Sequence, residues 1–217
     1  MTPRLEPMDE FFTKRIEGYD EHMLGEVQGC AAGYRLMARL AAEAHPRTLL
    51  DLGCGTGLEL DEIFRLLPEL RVTGIDMTQS MLDRLRGKHP DKQLTTILGD
   101  YFETELGGPY DIAVSFETLH HFTPERKLEL YKRLRASIAE GGEYIECDYM
   151  CDTDEQERGF FTELERLKRE QGLGSGYYHY DTPLTIEKQK RLLLEAGFKS
   201  VEQVFREDNT VMLLCRV

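Results

Sequence analysis

Thr48-Leu-Leu-Asp-Leu-Gly-Cys-Gly-Thr-Gly57 decides how this chain folds. Its first five residues are mostly leucine with one β-branched threonine, the composition of a strand buried on both faces, and glycines follow at 53, 55 and 57. Glycine lets backbone approach a ligand closely. The helix expected over about 58–67, with Ile63, Leu66 and Leu67 on its apolar face, turns free first-turn N–H groups toward a carboxylate or phosphate. A strand–turn–helix of this kind suits a nucleotide-type ligand. The dinucleotide fingerprint G-x-G-x-x-G places its third glycine one residue later than here, and no G-x-x-x-x-G-K-S/T occurs in this segment.

Outward from this turn, short apolar runs alternate with segments of helical period, the pattern of a parallel sheet covered by helices on both faces. Strands are expected at Arg71–Ile75, Leu94–Leu98, Asp111–Phe116 and Tyr144–Met150. Helices fall between them: one capped by Thr78 and ended at Gly87, another opened by Thr123-Pro124-Glu125. The second carries Leu128, Tyr131, Leu134 and Ile138 as its buried stripe and is expected to stop at Gly141-Gly142. A helix over Thr185–Ala196 leads into Val201–Phe205 and Thr210–Arg216, two strands joined through Glu207-Asp208-Asn209. The fold class is therefore α/β, a three-layer sandwich around a seven-stranded, mostly parallel sheet whose last strand is antiparallel.

One domain is expected over 1–217, in four parts. Residues 1–47 read as an N-terminal helical cap over the sheet edge, with Phe11, Phe12, Ile16 and Tyr19 on one apolar face. Residues 48–150 form the cofactor-binding core. Residues 151–184 are a helical insertion after strand five, with Phe160, Phe161, Leu164 and Leu167, a glycine-rich hinge at Gly172–Gly176 and Tyr177-Tyr-His-Tyr180; they read as a substrate-facing lid in which Tyr149 and residues 177–180 line the pocket. Residues 185–217 supply the last helix and the hairpin.

Lys+Arg 27 against Asp+Glu 40 leaves a net charge of −13, a field that repels phosphate backbones and argues against a nucleic-acid partner. No apolar run reaches the ~18–20 residues of a membrane helix, and Met1–Glu10 has no signal-peptide pattern. Five dispersed cysteines, an odd number, do not make a disulfide framework. The expected location is cytoplasmic, without membrane contact.

The glycine segment Asp51-Leu-Gly-Cys-Gly-Thr-Gly57 resembles that of class I S-adenosylmethionine-dependent methyltransferases of the small-molecule type, whose fold is Rossmann-like. Three further stretches fall at matching places. Gly74-Ile75-Asp76 ends the second strand with an acid placed for ribose hydroxyls. Gly99-Asp100-Tyr101-Phe102 offers an acid to an adenine amino group and a ring beside it, and Phe116-Glu-Thr-Leu-His-His-Phe122 is similar to the loop such enzymes hold near the methyl donor. The resemblance implies S-adenosyl-L-methionine as cofactor and S-adenosyl-L-homocysteine as product. It implies Tyr19, Asp51, Gly53, Cys54, Gly55, Gly57, Asp76, Met77, Met81, Asp100, Tyr101 and Phe116 as cofactor-binding residues. The implied reaction is methyl transfer to a small-molecule acceptor by in-line displacement.

A hydroxyl or ammonium acceptor would need a base, and His121, His120, Glu117 and Asp148 are the candidates near the strand ends. The sequence does not choose among them. No third ligand stands at metal spacing beside His120-His121, and Cys147-x3-Cys151 has no second pair, so no metal is expected. Two other readings share the same motifs: a tRNA-modifying methyl or carboxymethyl transferase of this superfamily, and a non-catalytic S-adenosylmethionine-binding protein. Against the first stand the charge and the lack of arginine in Tyr177–Pro183 to meet an extra carboxylate. The Asn/Asp-Pro-Pro-Tyr/Phe motif of adenine and glutamine N-methyltransferases is absent, with Ser115-Phe-Glu-Thr118 in its place, and a dehydrogenase lacks its pyrophosphate turn.

Overall fold

The computed structural model describes residues 3–217. Seven strands form one sheet in the order β3-β2-β1-β4-β5-β7-β6: β1 Thr48–Leu52, β2 Arg71–Asp76, β3 Leu94–Leu98, β4 Tyr110–Phe116, β5 Ile138–Tyr149, β6 Ser200–Glu207 and β7 Thr210–Arg216. β1 to β5 run parallel, and β7 lies antiparallel between β5 and β6. The helices are α1 Met8–Arg15, α2 Tyr19–Gly25, α3 Cys30–Glu43, α4 Leu58–Leu66, α5 Gln79–Lys88, α6 Pro124–Ser137, α7 Asp154–Glu170 and α8 Ile186–Glu195. A short 3-10 turn, Ile16–Gly18, links α1 to α2.

Strand alternation divides the core into two layers. Leu49, Ile112, Val114, Ile145, Cys147, Met212 and Leu214 meet α3, α4 and α5 on one face; Leu50, Leu52, Ala113, Tyr144, Val211, Leu213 and Cys215 meet α6 and α8 on the other. The expected three-layer arrangement and antiparallel last strand are both present.

Three expectations change. The N-terminal segment does not cap a sheet edge: α3 lies on the face, so close that a Cβ on Gly33 would stand 2.9 Å from the Phe116 ring. Helix α6 ends at Ser137 rather than at the glycine pair, and Ile138, expected on its stripe, opens β5. Gly142 is strand backbone there, where a Cβ would meet the Asp111 carbonyl at 2.6 Å. Thr78 occupies the N-cap of α5, yet its hydroxyl makes no capping bond; its own N–H is donated to the Asp76 carboxylate.

Helix α7 buries Leu164 and Leu167 against Leu5, with Tyr178 and Tyr180 packed alongside. From its end the chain runs back in extended form over the strand ends. Its backbone is tied to the start of α1 and the residues before it by Met8 N–H to Tyr177 O at 3.1 Å and His179 N–H to Glu6 O at 3.0 Å, and to the loop after β4 by Thr182 N–H to His120 O at 2.8 Å. Among the described residues, no helix is long and apolar enough to cross a membrane.

Helix α7 starts on a capping box, in which Thr153 accepts from Gln156 N–H at 3.2 Å and the Gln156 side chain accepts from Thr153 N–H at 3.1 Å. Thr153→Ala is expected to cost about 1 kcal/mol. Thermal unfolding followed by circular dichroism should show a drop of roughly 2–4 °C.

Candidate active site

β1 and β4 are parallel neighbours, but the chain leaves them toward opposite faces, α4 on one and α6 on the other. A crevice therefore opens beyond their C-terminal ends. Two cavities meet in it. The smaller, about 50 Å³, is bounded by Gly53, Gly55, Asp76, Met77, Met81, Asp100 and Tyr101. The larger, about 930 Å³, is bounded by α1, α2 and the loops that carry Glu117, His120, His121, Tyr149, His179 and Asp181. Phe12, Tyr19, Glu117 and His121 border both.

Around the smaller cavity, one carboxylate fastens two loops. Asp76 accepts from Gly55 N–H at 2.9 Å and from Thr78 N–H at 2.8 Å, although burial pushes its own pKa upward. Gly53 lies under Thr118 so tightly that a Cβ would stand 2.1 Å from Thr118 Oγ1, and at φ +69° its backbone is in the left-handed region. Tyr101 donates to Thr118 O at 3.0 Å, and Phe116 stacks on Tyr34 with ring centroids 4.0 Å apart. A cavity of about 50 Å³ is well below the ~300 Å³ of ordinary small-molecule pockets, so its walls must part to admit a nucleoside.

Beneath the glycine turn, Asp51 is wholly buried, and no donor reaches either of its carboxylate oxygens. Its neighbour in charge is Glu59 on α4, another buried acid. Burial raises both pKa values, Glu59 to about 7, and the Glu59 charge raises Asp51 further. Such a pair is short of one positive charge. An ammonium or sulfonium arriving above the turn would supply it.

The larger cavity is built from the loop after β4. Glu117 holds φ +48°, a conformation that non-glycine residues seldom adopt, and accepts from Thr210 Oγ1 at 3.2 Å. Burial raises its carboxyl to about 7. His120 Nδ1 meets Asp148 Oδ1 at 2.7 Å and stands 3.5 Å from Glu117 Oε2, while its Nε2 lies 3.5 Å from Asp181 Oδ1. Burial opposes a charge on His120, but Asp148 and Asp181 outweigh it and raise the imidazole to about 10. His121 goes the other way: burial and the neighbouring His120 hold it well below its usual range, so its Nδ1–H donates to Tyr180 O at 3.2 Å.

Tyr19, Gly53, Gly55, Asp76, Met77, Met81, Asp100, Tyr101 and Phe116 thus border the smaller cavity as a group. Asp51, Cys54 and Gly57 do not border it. Cys54 packs its thiol under Gly74, and Gly57 lies against Leu85, where a Cβ would approach Leu85 Cδ1 at 2.3 Å. Glu117, His120 and His121 face the larger cavity, whereas Asp148 stands behind His120, 1% exposed. Of the aromatic run, Tyr149 and His179 line that cavity and Tyr177 the smaller one; Tyr178 and Tyr180 turn away into the α7 cluster. All five cysteines are free and buried.

Two groups escape a linear reading. Asp181 reaches His120 and His121 only because the chain after α7 crosses the strand ends, so the lack of a third ligand in the spacing does not hold in space. The second group is a buried polar chain behind His120. Lys127 Nζ lies 3.9 Å from Asp148 Oδ2 and donates to Gln189 Oε1 at 3.3 Å; Gln189 also reaches Glu146, which accepts from Tyr131 and Tyr144 at 3.1 Å each. The signal was available: Lys127 falls on the α6 stripe with Leu130, Tyr131 and Leu134, and Glu146 and Asp148 alternate with Tyr144 on one face of β5.

Residues 50–144 match a family described as a methyltransferase domain. The matched stretch is 95 of 217 residues and runs from β1, through the glycine turn, into β5. Carboxy-S-adenosyl-L-methionine synthase of Campylobacter concisus is 28% identical over 196 residues, 82% of this chain and 82% of that protein. An O-methyltransferase family protein from Burkholderia thailandensis superposes with TM-score 0.71 at 17% identity over 97% of this chain; the chain spans 62% of that structure's length. The DhpI-SAM-HEP complex superposes with TM-score 0.69 at 20% identity, covering 96% of this chain and 95% of its own. At such identities the likeness is one of fold.

The Gly53–Gly55 backbone and the Asp76 acceptor border the smaller cavity, while the unpartnered Asp51 carboxyl lies beneath the turn, where it would act on a cation through its charge. Asp76→Ala is expected to weaken S-adenosylmethionine binding more than tenfold, a loss above ~1.4 kcal/mol, while the protein stays folded. Isothermal titration measures it.

A buried acid raised to about 7 contributes stability at low pH and loses that contribution as pH rises through 7; a bound cation reverses this by favouring the ionised pair. Cofactor affinity should therefore rise with pH up to about 7 and then level off, with proton release on binding below that point. Titrations in buffers of different ionisation enthalpy would detect the proton. Affinity independent of pH across this range would remove the Asp51–Glu59 pair from ammonium recognition.

Proposed function

We propose that the protein transfers the methyl group of S-adenosylmethionine to a small-molecule acceptor held in the larger cavity. The observation that carries this reading is the shared border: Phe12, Tyr19, Glu117 and His121 belong to both cavities, so donor and acceptor would meet there. The cofactor supplies an activated methyl on a sulfonium, so the carbon–sulfur bond breaks as the acceptor's lone pair takes the carbon. What the chain must add is alignment, an effect that reaches roughly 7–11 kcal/mol in favourable systems.

Each side chain then has a task. Asp51 and Glu59 hold the positive end of the donor, and Asp76 and Asp100 its nucleoside. Glu117, at the border, takes the proton that a hydroxyl or ammonium acceptor gives up. Asp148 acts as a positioning residue, holding the His120 ring through Nδ1, with Lys127 behind it. Residues 177–182, tied by backbone bonds to the N-terminal segment and to the loop after β4, close the cavity against water.

A second reading draws on the relatives named carboxy-S-adenosyl-L-methionine synthase, which match most of the chain. It would make the cofactor itself the acceptor of a carboxyl group. The described lining of the smaller cavity carries no lysine or arginine to receive such a group, which favours methyl transfer.

Titration with S-adenosylmethionine, S-adenosylhomocysteine and NAD in parallel, followed by a screen of amines and alcohols for S-adenosylhomocysteine release, tests the reading. Binding of the first two without NAD, and turnover with a small acceptor, are expected. Conversion of S-adenosylmethionine into a carboxylated product would favour the second reading, and binding without turnover would leave a cofactor-binding protein. Once an acceptor is in hand, Glu117→Gln should lower kcat roughly 100-fold with cofactor affinity little changed.

A further inference from the structure

The wall of the larger cavity holds two imidazoles and a carboxylate in the relation that a four-coordinate metal ion requires. His120 Nε2 and His121 Nδ1 each lie 3.5 Å from Asp181 Oδ1, and the donor atoms of all three residues fall within 4.8 Å of one another. A tetrahedral ion with bonds of ~2.1 Å separates its ligand atoms by ~3.4 Å. The two 3.5 Å edges match that spacing.

The support behind the ligands points the same way. A metal-binding histidine ordinarily gives its other ring N–H to a carboxylate, which fixes the tautomer and aims the free nitrogen. His120 does this: Nδ1 is spent on buried Asp148 at 2.7 Å, leaving Nε2 directed at Asp181. Lys127 in turn faces the second Asp148 oxygen at 3.9 Å. Glu117, His120 and Asp148 form another cluster of possible ligands, but an ion there would have to break the short His120–Asp148 bond.

We propose that His120, His121 and Asp181 bind a divalent first-row transition-metal ion, of the zinc or iron(II) class, with its remaining coordination position open to the larger cavity. Two nitrogens and one carboxylate oxygen are the donor set that such ions accept, with an exchangeable position left for water or a substrate atom. Binding displaces the proton on His120 Nε2 and moves that of His121 from Nδ1 to Nε2, releasing the 3.2 Å bond to Tyr180 O. The open position lies beside Glu117 and His121, where the two cavities join, so an oxygen or nitrogen of the acceptor could complete the shell. The site stands on its own ligands and holds whether or not methyl transfer is the reaction.

The test is a titration of the full chain, stripped with chelator, with Co²⁺ as spectroscopic probe and Zn²⁺ as competitor. One equivalent of Co²⁺ should bind with a dissociation constant below about 100 µM, give visible d–d absorption without thiolate charge-transfer bands, and be displaced by Zn²⁺. Asp181→Ala, at a residue whose side chain is 42% exposed, should leave the thermal melt unchanged and weaken Co²⁺ more than tenfold. Asp148→Asn should weaken it about tenfold through the ring it orients. Absence of saturable absorption, thiolate bands, or equal affinity in Asp181→Ala would each overturn the assignment. Because none of these readouts involves S-adenosylmethionine, failure of the metal site and failure of the methyl-transfer reading are separate results.

Discussion

The whole arrangement depends on one constraint of strand order. Beginning at β1, the chain works outward to β3 and then returns to lay β4 against the other side of β1, so the segments following these two neighbours must part. They cannot fill the space beyond their own strand ends. The gap is floored by backbone, and its closest contact is Gly53 beneath Thr118, where no side chain fits. Everything with chemical capacity in this protein stands on that floor or hangs over it.

The burial of acids follows from the same geometry. A sheet covered on both faces leaves little water near its strand ends, so carboxyls there are costly to ionise unless a partner is fixed nearby. Each buried acid has a different answer. Asp148 has His120 and, behind it, Lys127; Asp76 has two backbone N–H groups; Glu146 has two tyrosine hydroxyls and Gln189. Asp51 has no donor, and Glu59 has a backbone N–H and the charge of Lys88. That deficit of positive charge marks the place where a cation belongs.

A net charge of −13 is spread over the chain, yet the site does not behave as a uniformly negative surface. His120 is held positive between carboxylates while the adjacent His121 is held neutral, their rings 4.0 Å apart. Adjacent residues of the same type thus take opposite protonation states, because His120 is flanked by the carboxylates of Asp148 and Asp181 whereas burial and the charge on His120 keep a second proton off His121.

Local sequence determined what depends on neighbours along the chain. The apolar periods located all seven strands; the glycine turn, Asp76 and Asp100 followed as fixed offsets from strand ends; and strand alternation alone places Glu146 and Asp148 on the α6 side of β5. Where local signals misled, a distant contact had intervened: Gly141-Gly142 resembles a helix stop, but pairing with β4 draws Ile138 into a strand and takes the glycines with it. Only the tertiary structure decided what depends on residues far apart. Asp181 meets His120 and His121 because the segment after α7 is hydrogen-bonded back across the sheet, Phe12 and Tyr19 enter the crevice because α3 lies on the face and leaves α1 and α2 above the strand ends, and Lys127 acquires its partners from β5 and α8. Periodicity records which side of an element is buried; it carries no record of which other element buries it.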